Sequence, residues 1–179
     1  LKEPFIEKLS IMTLSNHLFC FFIIIFFTNG CGIYSFSGSS IPANAQTVYI
    51  KEIQNNSLLS SPELAQLITE SLNNYILTKT KLKTSSINPD LSFSGKITKY
   101  NVNPISINSE DNASQNRLFI EVEIYYENSI DSLNNFLKTF SNYVDFNSSE
   151  NFIDLESELN ILIIDKLVED IFNASFSNW

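Results

Sequence analysis

Between Arg117 and Glu127 apolar and polar side chains alternate with the two-residue period of a half-buried strand. Leu118, Ile120, Val122, Ile124 and Tyr126 fall on one face, and Phe119, Glu121, Glu123, Tyr125 and Glu127 on the other. Leu91 to Tyr100 repeats the pattern: Leu91, Phe93 and Ile97 oppose Ser92, Ser94, Lys96 and Thr98. Gly95 in mid-strand predicts a bulge or the close approach of a helix. Phe136 to Phe146 reads as a further strand with looser alternation, and Thr47 to Ile53 as a short one rich in β-branched and aromatic residues.

Two stretches change to the helical period. Ser60 and Glu63 have capping-box spacing, and Pro62 is tolerated in a first turn. Leu64, Leu67, Ile68, Leu72, Tyr75 and Ile76 then predict an amphipathic helix to about Leu77. From Phe152 to Asn173 the apolar face holds Leu155, Leu159, Leu162, Ile163 and Leu167, widened by Ile161, Ile164 and Val168. So broad a stripe predicts a well-buried helix. Asn88-Pro89-Asp90 marks a turn, residues 103–116 a polar loop, and residues 128–135 another turn. The order β-α-β-β-β-α predicts an antiparallel meander of the last three strands. The fold expected is an α+β two-layer sandwich, with two helices packed on one face of a four-stranded sheet.

The N-terminal residues follow a different logic. Leu18 to Phe27 (LFCFFIIIFF) is an unbroken apolar run, shorter than the ~20 residues of a membrane-spanning helix and suited to the core of a signal peptide. Thr28-Asn29-Gly30 then leads to Cys31, as in a lipoprotein signal: small residues precede a cysteine whose thiol accepts diacylglycerol. Residues 1–30 are therefore expected to be a lipoprotein signal peptide, residues 31–45 a lipidated tether, and residues 46–179 a single α+β domain. Acyl chains on Cys31 would hold the protein on a membrane. Thr28 stands where such signals usually carry Leu, and Lys2 and Lys8 are offset by Glu3 and Glu7. Leu1 and Met12 both remain open as the true start.

Composition narrows the function. Hydrophobic residues make up 44% of the chain, enough for a folded core. A net charge of −9 argues against nucleic acid as a partner. His17 is the sole histidine, and Cys20 and Cys31 are the two cysteines. A chain cut before Cys31 has no imidazole and no spare thiol. That disfavours Ser-His-Asp and Cys-His nucleophile systems, imidazole metal sites and a disulfide. No catalytic residue, metal or cofactor is expected.

Several short stretches, taken in order, resemble the lipopolysaccharide (LPS)-assembly lipoprotein family, LptE. They are Cys31-Gly32-Ile33-Tyr34-Ser35-Phe36-Ser37-Gly38, Asp90-Leu91-Ser92-Phe93-Ser94-Gly95-Lys96-Ile97 and Asn116-Arg117-Leu118. Phe140-Ser141-Asn142-Tyr143, Glu169-Asp170-Ile171-Phe172-Asn173 and the terminal Trp179 complete the set. The likeness spans nearly all of residues 31–179. It implies an outer-membrane, lipid-anchored protein on the periplasmic side. Such a protein plugs the LPS-transport β-barrel, helps it assemble and supports LPS insertion into the outer leaflet. An envelope lipoprotein acting as a transporter's accessory subunit, or as a ligand-binding module, is the second reading; a surface hydrolase is the third.

The resemblance implies assembly rather than catalysis, and gives the candidate residues their context. Lys79, Lys81 and Lys83, with Lys96 and Lys99, have the chemistry to meet LPS phosphates. The simpler account is cations after a helix C-terminus and along a solvated strand, and no family motif carries an LPS-contacting position onto this chain. Ser92, Ser94, Thr98, Glu121 and Glu123 form the polar sheet face expected against a barrel lumen. Glu121, Glu123 and Glu127 could be taken for acid–base carboxylates, but their regular spacing is that of any exposed strand face. Phe119, Tyr125, Tyr143, Phe146 and Trp179 are candidate interface aromatics, equally well explained as ordinary packing.

Overall fold

A computed structural model describes residues 41–42, 44–105 and 115–176. Cys31, the signal peptide, most of the tether, the tip of the polar loop and Trp179 lie outside the described residues. Among the described residues the elements run β1 (Thr47–Ile50), β2 (Gln54–Asn55), α1 (Glu63–Lys79), β3 (Lys83–Thr84), β4 (Leu91–Ile105), β5 (Gln115–Asn128), β6 (Phe136–Asn147) and α2 (Phe152–Phe176). A 3-10 turn at Ser132–Asn134 precedes β6.

The expected α+β architecture holds, but the sheet has six strands rather than four. Its order is β3-β1-β4-β5-β6, with β2 also pairing β4. The additional strands, β2 and β3, are two residues each, too short to leave a periodic signal. β1 runs parallel to β3 and β4, whereas β4, β5 and β6 form the predicted antiparallel meander.

The predicted strand Thr47 to Ile53 is broken for a local reason. Ile53 turns into the core and its N–H donates to Thr69 Oγ1 on α1 at 3.0 Å. Between Ile50↔Phe93 and Gln54↔Lys96 the pairing with β4 accordingly slips by one residue. The capping box is also absent. Pro62 occupies the N-cap without a side-chain cap bond, and Ser60 Oγ instead donates to Asn55 Oδ1 at 2.7 Å.

Asp90 fastens the start of β4 to the start of β1. Its Oδ2 accepts from Gln46 N (2.9 Å), Thr47 N (2.9 Å) and Thr47 Oγ1 (2.8 Å). Asn88 supports the preceding turn with a left-handed φ of 45°.

One hydrophobic cluster lies between the sheet and the helices. Leu91, Phe93, Ile97, Leu118, Ile120, Val122, Ile124 and Tyr126 supply the sheet side, as predicted. Leu64, Ile68, Leu72 and Ile76 supply α1. In α2 the buried face is Leu159, Ile163, Ile164, Leu167, Val168, Ile171, Phe172 and Phe176. Ile161 and Leu162, assigned to that face from the sequence, are exposed. An apolar run around three sides of a helix hides the true 3–4 rhythm.

Gly95 is a close-approach site, and the neighbour is a strand rather than a helix. A Cβ there would lie 2.5 Å from Glu123 O and 2.7 Å from Ile124 Cδ1. The irregularity falls further on, between Ile97 and Lys99, where Thr98 is the extra residue opposite β5.

Candidate functional site: the outer face of the sheet

The helix-free face of β4, β5 and β6 gathers the predicted polar residues. Cross-strand register aligns Lys96 with Glu123 and Thr139, and Lys99 with Glu121 and Ser141. Asn101 aligns with Phe119 and Tyr143, and Asn103 with Arg117 and Asp145. At the other end Ser94 meets Tyr125 and Leu137, and Ser92 Oγ donates to Glu127 Oε2 at 3.3 Å.

Three ion pairs form a ladder on this face, while Glu127 accepts from the Ser92 hydroxyl. Lys96 Nζ lies 2.8 Å from Glu123 Oε1, and Lys99 Nζ 2.9 Å from Glu121 Oε2. The bulge brings two donors to one carboxylate, because Thr98 Oγ1 also donates to Glu121 Oε1 at 2.9 Å. The Lys99 ammonium, helped by Thr98, holds the Glu121 carboxyl below its ordinary range against the opposing effect of burial. A carboxylate so held is a poor proton donor, which argues against a general-acid role for Glu121.

Arg117 makes the third pair, with Nε 2.7 Å from Asp145 Oδ1 and Nη2 2.9 Å from Asp145 Oδ2. Its guanidinium stacks 3.6 Å from the Tyr143 ring centroid. The sequence shows Arg117 entering a strand but not its partners, since register with β6 decides them. A shallow cleft of about 220 Å³ crosses the face, lined by Lys51, Glu52, Gln54, Ser94, Lys96 and Glu123 among others. Among the described residues no group of three His, Cys, Asp or Glu side chains could hold a metal ion.

The five lysines separate into two groups. Lys79 closes α1 with its ammonium 5.4 Å from the Tyr75 ring centroid, and Lys81 and Lys83 follow, exposed. Lys83 pairs with Thr47, at the end of the sheet where Asp90 sits. Lys96 and Lys99 lie roughly 20 and 26 Å further along β4 at ordinary strand rise, and both are neutralised by glutamates. Among the candidate aromatics, Phe119, Tyr125 and Tyr143 stand on the outer face. Phe146 is buried instead, packed on Phe152 with ring centroids 5.7 Å apart.

Fold and site together define a small α+β sandwich, one sheet face sealed by helices and the other a polar and aromatic lattice crossed by three ion pairs. Residues 45–175 match the family model described as LptE, lipopolysaccharide-assembly, and the chain belongs to that family. No curated protein matches it. It is similar to solved structures of lipoproteins from three bacteria. With a minor lipoprotein from Acinetobacter baumannii it shares 15% identity over 72% of this chain and 91% of that one, at a TM-score of 0.45. With a lipoprotein B from Nitrosomonas europaea the values are 14%, 80%, 88% and 0.45. With a lipoprotein from Neisseria meningitidis they are 9%, 72%, 99% and 0.41.

Proposed function

We propose that this chain is an outer-membrane lipoprotein, acylated at Cys31, that plugs and helps assemble the LPS-transport β-barrel and so supports LPS insertion into the outer leaflet. The observation that carries the reading, beside family membership, is the outer sheet face. A plug must contact its barrel on several sides while remaining soluble beforehand. Large barrels enclose a polar, water-filled interior, and a surface meeting it needs hydrogen-bonding groups more than one apolar patch. Ser92, Ser94, Thr98, Glu121 and Glu123 provide such groups on a rigid sheet. Lys99 and Lys96 pair with Glu121 and Glu123 and keep those two charges local. The acyl chains contribute anchoring at ~0.8 kcal/mol per buried methylene, enough for stable attachment once two or more chains are present.

Depletion of the protein tests the assembly role. The expected result is less correctly assembled barrel, followed by a loss of LPS at the cell surface. Normal barrel assembly and normal surface LPS after depletion would point to the accessory-subunit or ligand-binding reading.

A further inference from the structure

The two edges of the sheet are unequal. On one side the terminal strand is β3, two residues long. On the other it is β6, twelve residues long, paired with β5 without a register shift from Asn147 to Phe136. Among the described residues no strand pairs with the far side of β6. Natural sheets usually guard so long an edge with proline, a bulge or outward charges. β6 contains no proline or glycine. Of its two charged residues, Asp145 is held by Arg117, and Lys138 is exposed with its ammonium 4.8 Å from the Phe136 ring centroid, so one lysine is the charge left along the edge.

We infer that β6 pairs antiparallel with β6 of a second copy, about a two-fold axis at Phe140, joining two sheets into one. The sequence of the strand is self-complementary in that register. Leu137 falls opposite Tyr143 of the second copy, Phe136 opposite Val144, Thr139 opposite Ser141, and Lys138 opposite Asn142. Leu137 and Tyr143 are 63% and 45% exposed in the single chain, and the pairing covers both. An axis shifted by one residue, to Ser141, sets Leu137 against Asp145 and Phe140 against Asn142. A closed barrel wall has no unpaired strand to offer this edge, whereas a second copy presents an identical one. The inference is independent of the barrel-plug reading and concerns the protein outside its barrel.

The test is sedimentation equilibrium of the full chain in detergent. The wild type should show a concentration-dependent dimer. Thr139→Lys with Ser141→Lys sets like charges opposite each other twice across the axis and should weaken association at least ~10-fold. Both positions are exposed on the outer face, so the thermal melt should be retained. Mixing this variant with Thr139→Glu/Ser141→Glu should restore association as a heterodimer. Hydrogen exchange provides a readout that needs no variant: β6 amides facing away from β5 should slow as wild-type concentration rises. A wild type that stays monomeric, or a lysine variant that associates as tightly as wild type, overturns the inference. So does protection of those amides only in native membranes, which would assign the edge to another partner.

Discussion

Arg117 on β5 grips Asp145 on β6 through two parallel hydrogen bonds, Nε to Oδ1 at 2.7 Å and Nη2 to Oδ2 at 2.9 Å. Tyr143 lies beneath the guanidinium, 3.6 Å from ring centroid to Cζ. The pair is about one-third exposed on each side. An exposed pair contributes ~0.2–1 kcal/mol, and an exposed cation–π contact ~0.5–1 kcal/mol. Arg117→Ala should therefore lower the urea midpoint modestly. Arg117→Lys should recover only part of this, because an ammonium cannot form the fork.

The register of β5 gives a sharper contrast. Val122 is fully buried, set between Ile97 and Phe140. Val122→Asp places an unpaired charge in the core and should abolish the cooperative urea transition. Glu121→Ala should cost about 1 kcal/mol, since it frees Lys99 and leaves the Thr98 hydroxyl without its carboxylate partner. Equal tolerance at both positions would mean that the strand is out of this register.

Gly95 leaves no room for a methyl group, because its Cβ would approach the backbone oxygen of Glu123. Gly95→Ala should destabilise by ~1–3 kcal/mol through overpacking, and Gly95→Val by more. Thermal melts of both variants check this order.

These residues also mark how far the fold was legible in the sequence. Strict alternation from Leu118 to Tyr126 identified β5 and its buried face, because one side of that strand meets the core and the other meets water. Alternation in β4 held only to Ile97. The bulge at Thr98 reverses the faces, so Tyr100, on the polar face by simple alternation, is buried. Its hydroxyl donates to Glu156 Oε1 at 2.8 Å with Asn160 Oδ1 3.3 Å away. No local signal announces that reversal, because Thr suits either face. The polar sheet face was legible as a set of residues, but its ion pairs were not. Each depends on register between segments 22 or more residues apart.

Acid should weaken the protein in a defined direction. Backbone and hydroxyl donors from Gln46 and Thr47 hold Asp90 below the ordinary carboxylate range; Lys99 does so for Glu121, and Arg117 for Asp145. A depressed pKa contributes stability that is complete above the unfolded value, near ~4, and is lost as pH falls through the folded value. The urea midpoint should be level from pH 7 to about 5 and then drop. Asp90→Asn should make that drop shallower. At the alkaline end burial pushes Tyr126 up to about 12, so its contribution is complete below ~10 and lost as pH rises toward that value.

We propose that the chain resides inside a β-barrel of the outer membrane. The most direct test of this is affinity purification of the tagged full chain from native outer membranes in mild detergent, with the mass and stoichiometry of the eluted complex determined. One large β-barrel protein should elute at equal stoichiometry with a chain acylated at Cys31 and resistant to protease in the complex. A chain that elutes without a barrel, or that is cut as readily in membranes as when purified alone, would contradict it.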